Sequence, residues 1–167
     1  MNFITRKEAR QNIIELGLPQ IVLDVFDEKP LPYDLDLAIR FPYTILSLGP
    51  SEQARYGEGR ITPIWTDSGA YTVVAYDHTP ASSGFFRFDI ETAEVEHPVE
   101  MNWQQVLVKE FKFLWESQMP DDRLREVAGW FGFKHVEQLM DELGHAKLDT
   151  FEKDAVWYES FLSKVGD

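Results

Sequence analysis

The sequence predicts an α+β fold, a small antiparallel meander sheet covered by helices and followed by a C-terminal helical bundle. Residues 60–91, RITPIWTDSGAYTVVAYDHTPASSGFFRFDIE, hold three strand-like runs joined by turn-forming residues. Segments with apolar residues at helical spacing stand before and after them. With 167 residues, 44% of them apolar, the chain can bury one ordinary core. We therefore expect residues 1–118 to form the α+β domain and residues 119–167 a helical extension packed on the same core.

The first predicted element is an N-terminal helix. Thr5 and Glu8 have the spacing of a capping box, in which each side chain satisfies a backbone N–H at the helix start. The apolar stripe continues to Leu16, and Gly17 supplies the left-handed conformation that ends many helices.

Four segments connect this helix to the meander. Residues 21–26 are rich in β-branched side chains and predict a strand or an extended connection. Residues 27–37 form an acidic stretch broken by prolines, which indicates a loop. Residues 43–48 predict a further strand, and residues 51–60 a loop.

Each run of the meander has a distinct pattern. Pro63 lacks a backbone donor, which places the run at residues 60–65 at a sheet edge or at a bulge. Residues 71–76 are apolar on both faces and predict a central strand. In the third run, apolar residues alternate with Arg87 and Asp89, so we expect one face of that strand to be wet and one side of the sheet to be open.

Helices are predicted after the meander. Asn102 and Gln105 resemble a second capping box, which opens a helix reaching about Ser117. Its apolar residues cover most of its circumference, so it needs partners on more than one side. Three shorter helices with separate apolar stripes follow, ending at Gly132, at Gly144 and near the C-terminus.

Composition limits the classes of function. The net charge is −13, which repels nucleic acids and anionic membranes and favours cationic partners. The chain has no cysteine, which excludes disulfides, thiol nucleophiles and thiolate metal sites. No apolar run is long enough to span a bilayer, and the N-terminus lacks the apolar core of a signal peptide. We expect a cytoplasmic protein that binds neither nucleic acid nor membrane.

Patterns associated with catalysis are weak. The four histidines lack the spacing of a zinc site, no serine lies in a glycine-flanked elbow, and the glycines of residues 57–59 precede a strand rather than a helix. We therefore expect no catalytic residues, no metal and no cofactor. The open alternative is a small enzyme whose site on the sheet involves Asp77, His78 and Arg87.

One acidic cluster has the composition of a protein-binding surface. Carboxylates alternate with apolar and aromatic residues between positions 24 and 37, opposed within that segment only by Lys29. The predicted partner-binding residues are Asp24, Asp27, Glu28, Tyr33, Asp34 and Asp36. A solvated loop anchored by its leucines remains the alternative, and the spacing lacks the turn glycine of a calcium loop.

The order of features resembles the SUKH superfamily, which includes bacterial immunity proteins. The resembling pieces are the N-terminal helix running into LGLP, the Leu48-Gly49 pair, the meander, and the helix NWQQVLVKEFKFLWE. They cover roughly residues 5–116, and the helices beyond Met119 lie outside the match. The resemblance implies a non-catalytic protein that binds a cognate toxin, often a nuclease, and blocks it.

Three functions therefore follow as expectations. The first is an immunity protein that neutralises a cationic toxin domain by direct binding. The second is the small enzyme with a site near His78. The third is a regulatory scaffold or ligand-binding module that uses the open face of the sheet.

Overall fold

The computed structural model describes residues 4–57 and 60–166. The chain divides into two units, Met1–Glu100 and Met101–Asp167. The first contains an antiparallel meander sheet with helices and the second is helical, which confirms the predicted α+β class. The helix after the meander belongs to the second unit, although it was predicted with the sheet. The single-domain arrangement stays a prediction.

The N-terminal helix α1 (Arg6–Glu15) begins as predicted. The Thr5 hydroxyl accepts a hydrogen bond from the Glu8 N–H at 3.2 Å, and the Glu8 carboxylate accepts one from the Thr5 N–H at 2.9 Å. Gly17 follows the helix with a φ of 66°, in the left-handed region. The capping box and the glycine stop are both confirmed.

The segment at residues 21–26, predicted as a strand or an extended connection, lies instead in helix α2 (Gln20–Phe26). Val22, Val25 and Phe26 are buried, and their spacing of three and four residues is that of one helical face. Burial of this face outweighs the strand preference of the β-branched residues.

The other segments before the sheet are also more helical than predicted. Helix α4 (Tyr43–Ser47) replaces the strand expected at residues 43–48. The acidic loop contains the short helix α3 (Tyr33–Asp36). Helix α5 (Pro50–Gln53) and a 3-10 turn (Ala54–Tyr56) occupy most of the loop expected at residues 51–60. Residues 58 and 59 of that loop lie outside the described residues.

The sheet contains β1 (Ile61–Thr66), β2 (Thr72–Asp77), β3 (Gly84–Asp89) and β4 (Val95–Met101), adjacent in that order. The edge position of β1 and the register shift between Pro63 and Trp65 confirm the prediction made from Pro63. β2 is central, as predicted. β4 was not predicted, because its sequence VEHPVEM is rich in glutamate and contains a proline, both poor strand formers.

The wet face predicted for β3 is wrong. Five of its six residues are buried, and Arg87 is only 3% exposed. Alternation of polar and apolar residues shows which side chains are polar, but not whether other parts of the protein cover them. A guanidinium can be buried when its polar groups have partners. The side of the sheet that carries Arg87 is therefore not open at β3.

One core cluster of the first unit brings the sheet together with α4 and the 3-10 turn. Tyr56 stacks on Phe88 with ring centroids 5.0 Å apart, and its hydroxyl donates to the Ile90 carbonyl. The cluster consists of Ile45, Tyr56, Ile61, Val73, Ala75, Phe86, Phe88 and Ile90. This packing joins the sheet to the helical segments that precede it.

The second unit consists of α6 (Trp103–Glu116), α7 (Asp121–Phe131), α8 (Val136–His145) and α9 (Phe151–Val165). The capping box of Asn102 and Gln105 is present, and Gly132 ends α7 in the left-handed conformation. Both features were predicted. The aromatic ring of Phe111 on α6 stacks on Phe133, at 4.6 Å between centroids, and so joins α6 to the segment after α7.

Two glycine-to-alanine substitutions should change stability in opposite directions. A Cβ at Gly84 would lie 2.5 Å from the Cα of Glu100, so Gly84→Ala should lower the free energy of unfolding by about 1–3 kcal/mol or more. A Cβ at Gly129, inside α7, meets nothing within 4 Å, so Gly129→Ala should raise it by about 0.5–1 kcal/mol. Urea denaturation of both variants measures the difference. Equal effects would contradict the close approach of β3 and β4.

Candidate protein-binding surface

Helix α1 holds the turn that follows α2 through two arginines. Arg10 binds the carboxylate of Asp27 with two hydrogen bonds of 2.8 Å. Arg6 contacts Glu28 at 3.0 Å and donates to the Phe26 carbonyl at 3.2 Å. The hydrogen bond from Arg10 lowers the pKa of Asp27. The turn at residues 26–28 is thus fixed to α1.

Two more of the predicted carboxylates are paired with cations. Lys29 lies 2.6 Å from Asp24, and its hydrogen bond lowers the pKa of that carboxyl. Arg40 lies 2.9 Å from Asp36. Four predicted partner-binding carboxylates therefore have internal cationic partners. The cluster is less negative than its segment of sequence suggested.

A groove of about 540 Å³ opens beside these residues. Its lining combines apolar and charged side chains: Val25, Glu28, Lys29, Pro30, Leu31, Asp36, Arg40, Phe41 and Tyr43. Of the predicted partner-binding residues, Glu28 and Asp36 line it, whereas Asp24, Asp27, Tyr33 and Asp34 do not. We call the groove together with Tyr33 the loop surface.

Two tyrosines dominate the exposed part of the loop surface. Tyr33 is 79% exposed on α3, and Tyr43 is 68% exposed at the start of α4. Inside them, Phe41 packs edge-on against Phe26 at 5.1 Å, with the Arg6 guanidinium 4.1 Å from the Phe41 ring centroid. The sequence prediction included Tyr33 but missed Tyr43. The position of Tyr43 directly after Pro42 indicates a turn, and this was the signal that could have identified it.

A second groove, of about 430 Å³, lies on the same unit and was not predicted. Tyr71, which is half exposed, and Tyr56 contribute aromatic surface. Arg55 crosses this region and donates to the Glu91 carbonyl at 3.2 Å. The lining is mainly apolar, with Glu52, Arg55 and Glu91 as its charged groups.

The alternative site near His78 contains a hydroxyl–imidazole pair. Thr62 Oγ1 lies 2.7 Å from His78 Nε2 and accepts a hydrogen bond from Asn12 Nδ2 at 2.9 Å. Thr62 is fully buried, so this hydroxyl cannot reach a substrate in solution. Asp77 instead caps the following turn by accepting from the Thr79 N–H at 2.8 Å. The geometry is that of a structural hydrogen-bond chain joining α1, β1 and the residue that follows β2.

The contribution of His78 in this hydrogen-bond chain should be visible in the pH dependence of the free energy of unfolding. Burial lowers the pKa of His78 below its ordinary value of 6.5, so the unfolded state takes up a proton at higher pH than the folded state. We expect this contribution to stability to be complete above pH 6.5 and to be lost as the pH falls from 6.5 toward the folded-state pKa.

Urea denaturation at several pH values, with His78→Gln as the comparison, measures this contribution. The variant should lose less stability than the wild type as the pH falls below 6.5. An identical pH profile in the two proteins would contradict the assignment to His78.

In the part of the chain that the structure describes, no three His, Asp or Glu side chains come together in a way that could hold a metal ion. Among the same residues no helix is both long and apolar enough to cross a membrane.

We compared the chain with known protein families, curated proteins and solved structures. No protein-family model, no curated protein and no solved structure matches this chain. The resemblance to the SUKH superfamily therefore stays a prediction.

Proposed function

We propose that this protein is a non-catalytic binding protein that neutralises a cationic protein, such as a toxin domain, by occupying it with the loop surface. The observation that carries the proposal is a pair of exposed tyrosines. Tyr43 lines the groove together with Glu28 and Asp36, and Tyr33 lies on the same short helix as Asp36. Large exposed aromatic groups with a polar rim are typical of the centre of a protein–protein interface.

The loop surface is also held in place before binding. Arg10 fixes Asp27, Arg6 fixes Glu28, and Arg40 fixes Asp36. A surface whose side chains are already ordered loses less conformational entropy on association. We therefore expect the tyrosines to supply most of the contact energy, and the paired carboxylates to orient the partner's cations.

The charge of the whole chain supports a cationic partner. A net charge of −13 attracts a basic protein over long distances and raises the association rate. Nuclease toxins need basic surfaces to bind phosphate, which agrees with the function that the SUKH resemblance implies. The proposed partner is a toxin domain of this kind, met in the cytoplasm.

A co-expression experiment tests the proposal. If the gene beside this one encodes a toxin, co-expression of the wild-type protein should restore growth of cells that produce the toxin domain. Tyr33→Ala combined with Tyr43→Ala should weaken binding of that domain by about tenfold or more, because tyrosines that become buried in an interface are common hot spots. Phe151→Ala removes an exposed aromatic ring that lines neither groove and serves as the control. If the double variant restores growth and binds the toxin domain as well as the wild type does, the loop surface is not the contact surface.

The second groove favours the other binding function. Its mainly apolar lining around Tyr56 and Tyr71 has the composition of a small-ligand site. A ligand there should stabilise the protein against heat in proportion to its concentration, and Tyr71→Ala should remove that effect.

A further inference from the structure

The two edges of the sheet differ. At β1, Arg40 forms two main-chain hydrogen bonds with Thr66, of 2.8 and 2.9 Å, so that edge is partly capped. At the opposite edge, no strand within residues 4–57 and 60–166 pairs with the outer side of β4. An open edge presents backbone N–H and C=O groups to which an extended chain can add as a further strand.

The side chains of β4 are accessible. Val95 is 41% exposed and Val99 is 39% exposed, and His97 between them is also exposed. Alternate residues of a strand lie on the same face, so Val95 and His97 share one side of β4. They offer apolar contact to the side chains of an added strand.

Charge indicates what kind of chain would add. No lysine or arginine occurs between Arg87 and Lys109, whereas this stretch contains Asp89, Glu91, Glu94, Glu96 and Glu100. Glu91, Glu94 and Glu100 are exposed. At residues 24–36, by comparison, Arg6, Arg10, Lys29 and Arg40 pair with the carboxylates. Around β4 the stretch 88–108 supplies no cation of its own, and Arg55 reaches the Glu91 carbonyl from outside it. The complementary occupant is positively charged.

We propose that β4 is a docking edge for an extended, lysine- or arginine-bearing segment of a protein, which pairs with Val95–His97 as an added strand. The inference rests on the proposed function in one respect, that the partner is a cationic protein. Pro98 has no N–H to donate, which keeps the added ladder short. The glutamates therefore supply an essential part of the affinity.

Two peptides test the strand addition. The probe is the capped peptide Lys-Val-Lys-Val-Lys-Val, and the matched control carries an N-methyl group on the backbone nitrogen of every residue, which keeps the charge but removes the backbone donors of both edges. NMR titration of the full-length protein should show the probe shifting the amide signals of residues 95–97. The N-methylated peptide should bind about tenfold more weakly or worse, since strand addition depends on main-chain hydrogen bonds.

A charge comparison completes the test. Glu91→Gln with Glu94→Gln should weaken binding of the probe several-fold, whereas Glu152→Gln with Glu159→Gln, which makes the same change in net charge on α9, should not. Four results would each overturn the inference. The two peptides could bind equally, or the two charge variants could have equal effects. The signal shifts could centre on the loop surface, or no binding could be seen at about 1 mM probe.

Growth rescue by the wild-type protein separates this inference from the proposed function. Rescue together with a failed peptide test rejects only the β4 edge. A successful peptide test without rescue rejects only the proposed function.

Discussion

Phe88→Ala is expected to lower the free energy of unfolding by about 3–5 kcal/mol, the usual range for removing a buried phenylalanine ring. Phe88 is fully buried in β3, where its ring packs against Tyr56 at 5.0 Å and Phe86 at 5.7 Å. Its neighbour across the sheet is Val73. The substitution leaves a cavity that rigid strands on this core cannot easily close. Urea denaturation at neutral pH measures the loss.

The matched control is the same substitution at an exposed phenylalanine. Phe151, the first residue of α9, is 85% exposed, so Phe151→Ala should change stability by no more than about 0.5 kcal/mol. A loss below about 1 kcal/mol for Phe88→Ala would mean that the Phe88 ring is not in a packed core.

Gln53→Ala should be nearly as destabilising, by about 2–4 kcal/mol, because it leaves buried backbone groups without partners. The Gln53 side chain accepts a hydrogen bond from the Ile4 N–H at 3.0 Å and donates to the Ile4 carbonyl at 3.2 Å. It also donates to the Ile45 carbonyl at 3.1 Å. One buried amide thus joins the start of the described chain, α4 and α5.

Two controls separate hydrogen bonding from packing at Gln53. Gln53→Met keeps the length of the side chain but loses all three hydrogen bonds, so it should remain strongly destabilising. Gln11→Ala removes an exposed glutamine that bonds Glu15 at 3.1 Å, and its effect should stay within about 0.5 kcal/mol. Full stability of Gln53→Met would show that the hydrogen bonds contribute little.

The features predicted correctly are those that depend on residues close together in the sequence. The capping boxes at Thr5 and Asn102 act over three residues, and Pro63 marks an edge strand through its own missing donor. Helix α2 was predicted as a strand or an extended connection and α4 as a strand, because five to seven residues are too few for periodicity to separate a helix from a strand. β4 was missed because an edge strand needs little intrinsic strand preference when its neighbour supplies the hydrogen bonds.

The loop surface was only partly predictable for a different reason. Its carboxylates could be recognised from the sequence, but their cationic partners could not. Arg10 is 17 positions from Asp27, and Arg6 is 22 positions from Glu28, so only the packing of α1 beside α2 brings them together. The exposed glutamates before and within β4 appeared unremarkable because the strand itself was not predicted.

Titration calorimetry of the protein with a basic toxin domain of the proposed kind tests the central claim, the proposed recognition of a cationic protein by surface complementarity. We expect a one-to-one complex whose affinity falls between about 50 and 300 mM salt, because the Debye length shortens over that range. The Tyr33→Ala, Tyr43→Ala double variant should bind more weakly at both salt concentrations. No heat of binding at either concentration, or an affinity that salt leaves unchanged, would contradict the claim.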